Sequence, residues 1–209
     1  PAVSADTVYS GNNAGRELLA FDRATGAEKW RVNLGGLTTA EPLIGQDGNI
    51  YTATNGNSGN GRLWGVDPAG NILWSTPVGG DSSFWGGFSQ ANDGTLYIAG
   101  RGGVLQAINP ADGSRLWERK ALGEMRRRPV VAPDQSVIVN SMDGNTYAFN
   151  PDGSAKWTHA NGSPVQNRPA VAPSGNVFVA RNRLDALDSN GNLLWNSLGM
   201  GLGYIGASS

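Results

Sequence analysis

Five times in this chain a glycine is followed four residues later by a tryptophan: Gly26 and Trp30, Gly70 and Trp74, Gly113 and Trp117, Gly153 and Trp157, Gly191 and Trp195. Successive tryptophans lie 44, 43, 40 and 38 residues apart. A period of roughly 40 residues marks an array of one repeated supersecondary unit. A unit so short cannot bury both of its faces alone, so the copies must stack to make a core. What the copies share therefore serves folding, and function is to be sought where they differ.

Each unit carries four extended segments. The first starts at Pro1, Pro42, Phe88, Pro129 or Pro169. The second alternates apolar residues, as in Ile50-Tyr51, Leu96-Tyr97-Ile98 and Val137-Ile138-Val139, and the third ends in Asp or Asn, as in Leu19-Ala20-Phe21-Asp22 and Tyr147-Ala148-Phe149-Asn150. The fourth holds the tryptophan. Period-two patterning with turn residues at each junction predicts four antiparallel strands per unit. Four strands in about 40 residues, repeated, predict an all-β protein, a β-propeller of five four-stranded blades in one domain over 1–209. Trp30, Trp74, Trp117, Trp157 and Trp195 are then expected as plugs between neighbouring blades, each with an indole N–H to satisfy.

Composition narrows the function classes. The 31 Gly and 11 Pro suit short strands and tight turns. With 16 basic and 17 acidic residues there is no overall charge to draw the chain to nucleic acid or an anionic membrane. The absence of Cys removes disulfides, thiolate metal sites and cysteine nucleophiles together. No apolar run approaches the ~20 residues of a membrane-spanning helix.

The repeats resemble the PQQ-type propeller repeat of quinoprotein alcohol dehydrogenases and their non-enzymatic relatives. The likeness rests on the Ala-x-Asp/Asn, turn, Gly-x-x-x-Trp core, best seen from Leu19 to Trp30, and on the strand that follows. In the dehydrogenase branch it implies a quinone on the propeller axis, Ca²⁺ held by Glu, Asn and Asp, a catalytic Asp and commonly a vicinal disulfide. That disulfide is impossible here, and family enzymes usually have eight blades with long insertions, so no catalytic, cofactor or metal position is carried over. The resemblance points instead to the non-catalytic group, which includes an outer-membrane assembly lipoprotein and binds protein partners through loops and sheet edges. Family habit places such proteins outside the cytoplasm.

The strand-one anchors at 1, 42, 88, 129 and 169 put the next one at the end of the sequence. Joining Ser209 to Pro1 would rebuild a repeat junction. A closed five-blade ring is expected in preference to an excerpt of a larger array, because an open array leaves sheet faces bare at both ends.

In PQQ-like propellers the segments before each strand-one anchor approach the axis. Here they differ sharply between units. Glu41 is an acid, Trp85 an aromatic, and Arg126, Arg128, Gln166 and Arg168 are cationic or amide donors. Planar Arg donors beside an aromatic suit carboxylates, phosphates or sugars, the alternative being that Glu41 neutralises Arg128 or Arg168 and the rest is solvated. Other motifs read as structural. Residues 55–62 form a Gly/Asn-rich loop without carboxylates, Gly100-Arg101-Gly102-Gly103 is a turn without a helix behind it, and His159, the lone histidine, is expected at a blade's outer surface. The chain thus reads as a non-enzymatic binding or assembly module for protein or anionic partners. A piece of a quinone-dependent oxidoreductase and a carbohydrate-binding five-bladed propeller are the competing readings.

Overall fold

In the structure, a computed structural model, the described residues are 1–38, 40–55, 61–78, 84, 87–121 and 123–197, and every regular element among them is a strand. Blade 1 is β1 (Ala2–Val3), β2 (Thr7–Asn12), β3 (Glu17–Asp22) and β4 (Glu28–Asn33). Blade 2 is β5 (Leu43–Ile44), β6 (Ile50–Thr54), β7 (Arg62–Val66) and β8 (Ile72–Pro77). Blade 3 is β9 (Phe88–Gln90), β10 (Leu96–Ala99), β11 (Val104–Ile108) and β12 (Arg115–Lys120). Blade 4 is β13 (Val130–Val131), β14 (Val137–Asn140), β15 (Asn145–Phe149) and β16 (Ala155–Ala160). Blade 5 is β17 (Ala170–Val171), β18 (Val177–Ala180), β19 (Leu184–Leu187) and β20 (Leu193–Asn196). Each blade is an antiparallel meander in sequence order. The fold is a propeller of five four-stranded blades.

The repeated motif builds one kind of joint. Within each blade the tryptophan stands opposite a small residue of the third strand: Ala20, Gly65, Ala107, Ala148 or Ala186. The indole needs that space, since a Cβ on Gly65 would lie 2.5 Å from the Trp74 ring. The ring then reaches the next blade. Trp30 Nε1 donates to Pro68 O at 2.9 Å, Trp74 to Pro110 O at 2.8 Å, Trp117 to Pro151 O at 2.7 Å and Trp157 to Ser189 O at 3.0 Å. The glycine of that same turn lies beneath the ring. A Cβ on Gly70, Gly113, Gly153 or Gly191 would come within 2.3–2.9 Å of the preceding blade's indole. These glycines also have φ between +71° and +92°, where a side chain is strained.

Between blades the core is apolar and continuous. Tyr9, Ala20 and Trp30 of blade 1 pack with Ile44, Ile50 and Val66 of blade 2, and Ile138, Ala148 and Trp157 of blade 4 with Val171, Val177 and Leu187 of blade 5. Stacking or tilting of Tyr9, Tyr51 and Tyr97 on the tryptophan of their own blade, at 5.6–5.8 Å, adds aromatic contact.

Trp195 departs from the expected plug. It is 50% exposed, and no described turn sits over it. The turn at Gly26, its counterpart on blade 1, has no described atom within 4 Å of a would-be Cβ. Ring closure is accordingly not seen among the described residues, because the fifth joint is not made there. His159 also departs from its expected surface position. It pairs with Thr146 on the face that carries Trp157, is half-buried, and its Nε2 is buried without a hydrogen-bond partner among the described residues.

Candidate functional site

Four segments join the fourth strand of one blade to the first strand of the next. Glu41 lies between β4 and β5, Arg126 and Arg128 between β12 and β13, and Gln166 and Arg168 between β16 and β17. Trp85 lies outside the described residues. Neighbouring segments meet at two described places. A Cβ on Gly87 (φ +77°) would sit 3.0 Å from the Glu41 carbonyl, and Arg127 Nε donates to Gln166 O at 3.3 Å. The last segment is tied down on both sides, by Asn140 Nδ2 donating to Asn167 O at 2.8 Å and Asn167 Nδ2 to Ala180 O at 3.3 Å.

The expected cations divide into two groups. Arg126 is engaged: its Nε lies 2.8 Å from Glu124 Oε2, and Arg101 approaches the other carboxylate oxygen at 3.4 Å. Hydrogen bonds from Arg126 first, then Arg101, hold the Glu124 carboxyl below its usual range. Arg128 and Arg168 form no ion pair or side-chain hydrogen bond with a described residue. They lie close enough to feel each other: desolvation first, then the charge of Arg128, pushes the Arg168 guanidinium below its ordinary value. Glu41 is exposed and makes no ion pair with either arginine among the described residues. Gln166 is exposed too, and its carbonyl serves Arg127. Sequence reasoning missed Glu124 and Arg101, although a carboxylate two residues before Arg126 was a visible signal for local pairing.

Two other places bear on chemistry. The described clefts, of about 180 and 350 Å³, lie at the blade 4–5 and blade 2–3 junctions, away from these segments. Between blades 4 and 5, Asp185 is fully buried with Arg181 Nη2 and Arg183 Nε each at 2.7 Å. Among the described residues no three His, Asp or Glu side chains gather as a metal-ligand set, and no helix is long and apolar enough to cross a membrane.

The PQQ_2 family model, described as outer membrane protein assembly factor BamB, matches residues 1–82 and 59–199. The chain belongs to that family. Individual BamB relatives align over short stretches. BamB of Shewanella oneidensis is 42% identical over 57 residues, 27% of this chain and 14% of that protein. BamB of Burkholderia pseudomallei is 34% identical over 121 residues, 56% of this chain and 29% of that protein. Among solved structures, BamB from Moraxella catarrhalis superposes with a TM-score of 0.74 at 22% identity, covering 92% of this chain and 61% of that one. A europium-containing methanol dehydrogenase superposes equally well, with a TM-score of 0.75 at 13% identity over 94% of this chain and 60% of that one. The chain thus spans less than a third of these two curated relatives and about three-fifths of these two structures. Since an enzyme and an assembly factor share the fold equally, the fold alone does not choose between them.

Proposed function

We propose that the chain is a protein-binding scaffold that acts outside the cytoplasm in the assembly of outer-membrane proteins, and that its inner-segment cations form the docking surface. One observation carries the docking surface. Arg128 and Arg168 stand on neighbouring segments linked by the Arg127–Gln166 hydrogen bond, and neither has a described carboxylate to neutralise it, on a propeller of the BamB family. Like charges held together raise the energy of the free protein, and a partner's carboxylate relieves that. Arginine presents a planar fork that fits a carboxylate with two parallel bonds. Side-chain-to-backbone hydrogen bonds from Arg127 and Asn140 tie the two segments, so little ordering is required on binding.

The test is genetic and biochemical together. The chain, exported and anchored in a bacterium lacking its own BamB, is expected to restore part of the level of outer-membrane β-barrel proteins. Replacing both Arg128 and Arg168 with Gln should remove that restoration while leaving the unfolding midpoint within about 0.5 kcal/mol. Equal restoration by the double variant would sink the docking surface. Alcohol-dependent reduction of an electron acceptor on adding quinone and Ca²⁺, surviving purification, would overturn the scaffold reading in favour of an oxidoreductase.

A further inference from the structure

We propose that Asn140, Thr146 and Asn161 are positioning residues for the docking surface, a buried relay in blade 4 that holds the Gln166–Arg168 segment in place for an acidic stretch of a partner protein. The inference rests on the docking reading above and names what prepares that surface.

Comparison of the repeats exposes the relay. One layer beyond the tryptophan, strands two and three pair a small residue with a leucine: Gly11 with Leu18, Ala53 with Leu63, Ala99 with Leu105 and Ala180 with Leu184. Blade 4 pairs Asn140 with Thr146 there. Just past the fourth strand, Leu34, Val78 and Ala121 each donate a backbone N–H to the turn between strands two and three, at Arg16 O, Gly61 O and Gly103 O. Asn161 does the same to Gly144 O in blade 4. Blade 4 therefore breaks the apolar pattern at three positions together. All three side chains are buried, and they are bonded to one another.

The bonds run one way. Asn161 Nδ2 donates to Thr146 Oγ1 at 3.0 Å, Thr146 Oγ1 to Asn140 Oδ1 at 2.7 Å, and Asn140 Nδ2 to Asn167 O at 2.8 Å. Because Thr146 occupies the Asn140 carbonyl oxygen, the amide turns its N–H donors toward the segment. Asn167 Nδ2 in turn donates to Ala180 O of blade 5 at 3.3 Å, and Arg168 is the next residue. Stability alone does not account for this arrangement. Asn161 Oδ1 is buried with no described partner, a cost that the leucine, valine or alanine of the other blades avoids. What the relay adds is order in the segment. An arginine on a held segment loses less freedom on gripping a carboxylate than one on a loose loop.

The probe is a fluorescein-labelled hexaglutamate peptide, its binding read by fluorescence anisotropy at fixed ionic strength. In a separate sample, a nitroxide on Gln166→Cys reports the mobility of the segment. Replacing the three residues by their blade 3 counterparts, Asn140→Ala, Thr146→Leu and Asn161→Ala, removes every polar group of the relay at once. That variant should unfold at the parent's urea midpoint or above it. Its label should nevertheless become mobile and its peptide affinity fall about tenfold, as releasing one or two residues of backbone does. Thr146→Val should show the same two losses, and Thr146→Ser, which restores the hydroxyl, should recover them; this pair carries the test if the triple variant fails to fold. A label that stays immobile in Thr146→Val and in the triple variant overturns the relay. A mobile label with unchanged affinity overturns its part in docking. Peptide binding that survives Arg128→Gln with Arg168→Gln, or no binding by the parent chain, overturns the docking reading and this proposal with it, and the label distinguishes that failure from a failure of the relay.

Discussion

At the scale of single residues, the strongest constraint is the buried carboxylate of Asp185. Removing it leaves Arg181, whose side chain is only 8% exposed, charged and unpaired between blades 4 and 5. Asp185→Ala should therefore cost about 3–5 kcal/mol in urea unfolding. Asp134 gives a pH test of opposite character. Burial raises its pKa, but hydrogen bonds from Lys156 and then Ser136 outweigh that and hold it at about 2. A depressed carboxylate pKa contributes stability that is present above the unfolded value near 3.9 and lost as pH falls toward the folded one. The loss should thus fall between about pH 4 and 2. With about half of the Asp134 side chain exposed, solvent screening keeps it under about 1 kcal/mol. Lys156→Met should flatten the acid limb of the stability curve, and an unchanged limb would contradict the pairing. The alternating pattern put Asp185 on a strand, but its partners come from a turn, and sequence spacing carries no sign of that.

At the scale of the strand, the most informative detail is a bulge repeated in every blade. Between the third and fourth strands the register slips by one residue just before the tryptophan. The extra residues are Lys29, Leu73, Leu116, Lys156 and Leu194. This accounts for three exposed leucines on the outer strands, since a bulged residue belongs to neither packed face. The lysines use the same freedom to reach Asp6 and Asp134. The glycine under each indole supplies a matched pair of tests. Gly153→Ala and Gly26→Ala both place a Cβ at positive φ, yet only the first drives it into a ring, 2.7 Å from Trp117. Gly153→Ala should cost clearly more, by about 1–2 kcal/mol, in thermal or urea unfolding. Trp117→Ala should cost about 3–5 kcal/mol, whereas Trp195→Ala should cost under about 1 in the monomer. Strand order and the tryptophan joint were legible because they recur five times. The bulge was not, because one slipped residue leaves the alternation on either side intact.

At the scale of the whole molecule, stability is a sum of blades and joints, and among the described residues four joints link the five blades. Amide exchange should be slowest in blades 2 to 4 and faster in β17–β20, where Trp195 is half exposed and has no partner turn among the described residues, with uniform protection across all five blades as the contrary result. Closure was the expectation least supported by sequence. Repeat phase tells which copy follows which and says nothing of the curvature between them. The segments before each first strand drew attention because they vary between copies, but pairing within them depends on side-chain direction, which left Arg126 paired with Glu124 and Arg128 without a described partner.

The bulge residues have one more use. They recur at the same place on successive blades, four of the five are substantially exposed on the outer strands, and none fills the core. Spin labels or fluorophores attached through cysteine at 29 and 194, in a chain with no cysteine of its own, would act as a ruler along the rim. In a closed ring the two labels would be neighbours, no farther apart than those at 73 and 116. In an arc they would be the most distant pair on the molecule, so a single interlabel distance, measured in dilute solution, reads out the shape of the whole array.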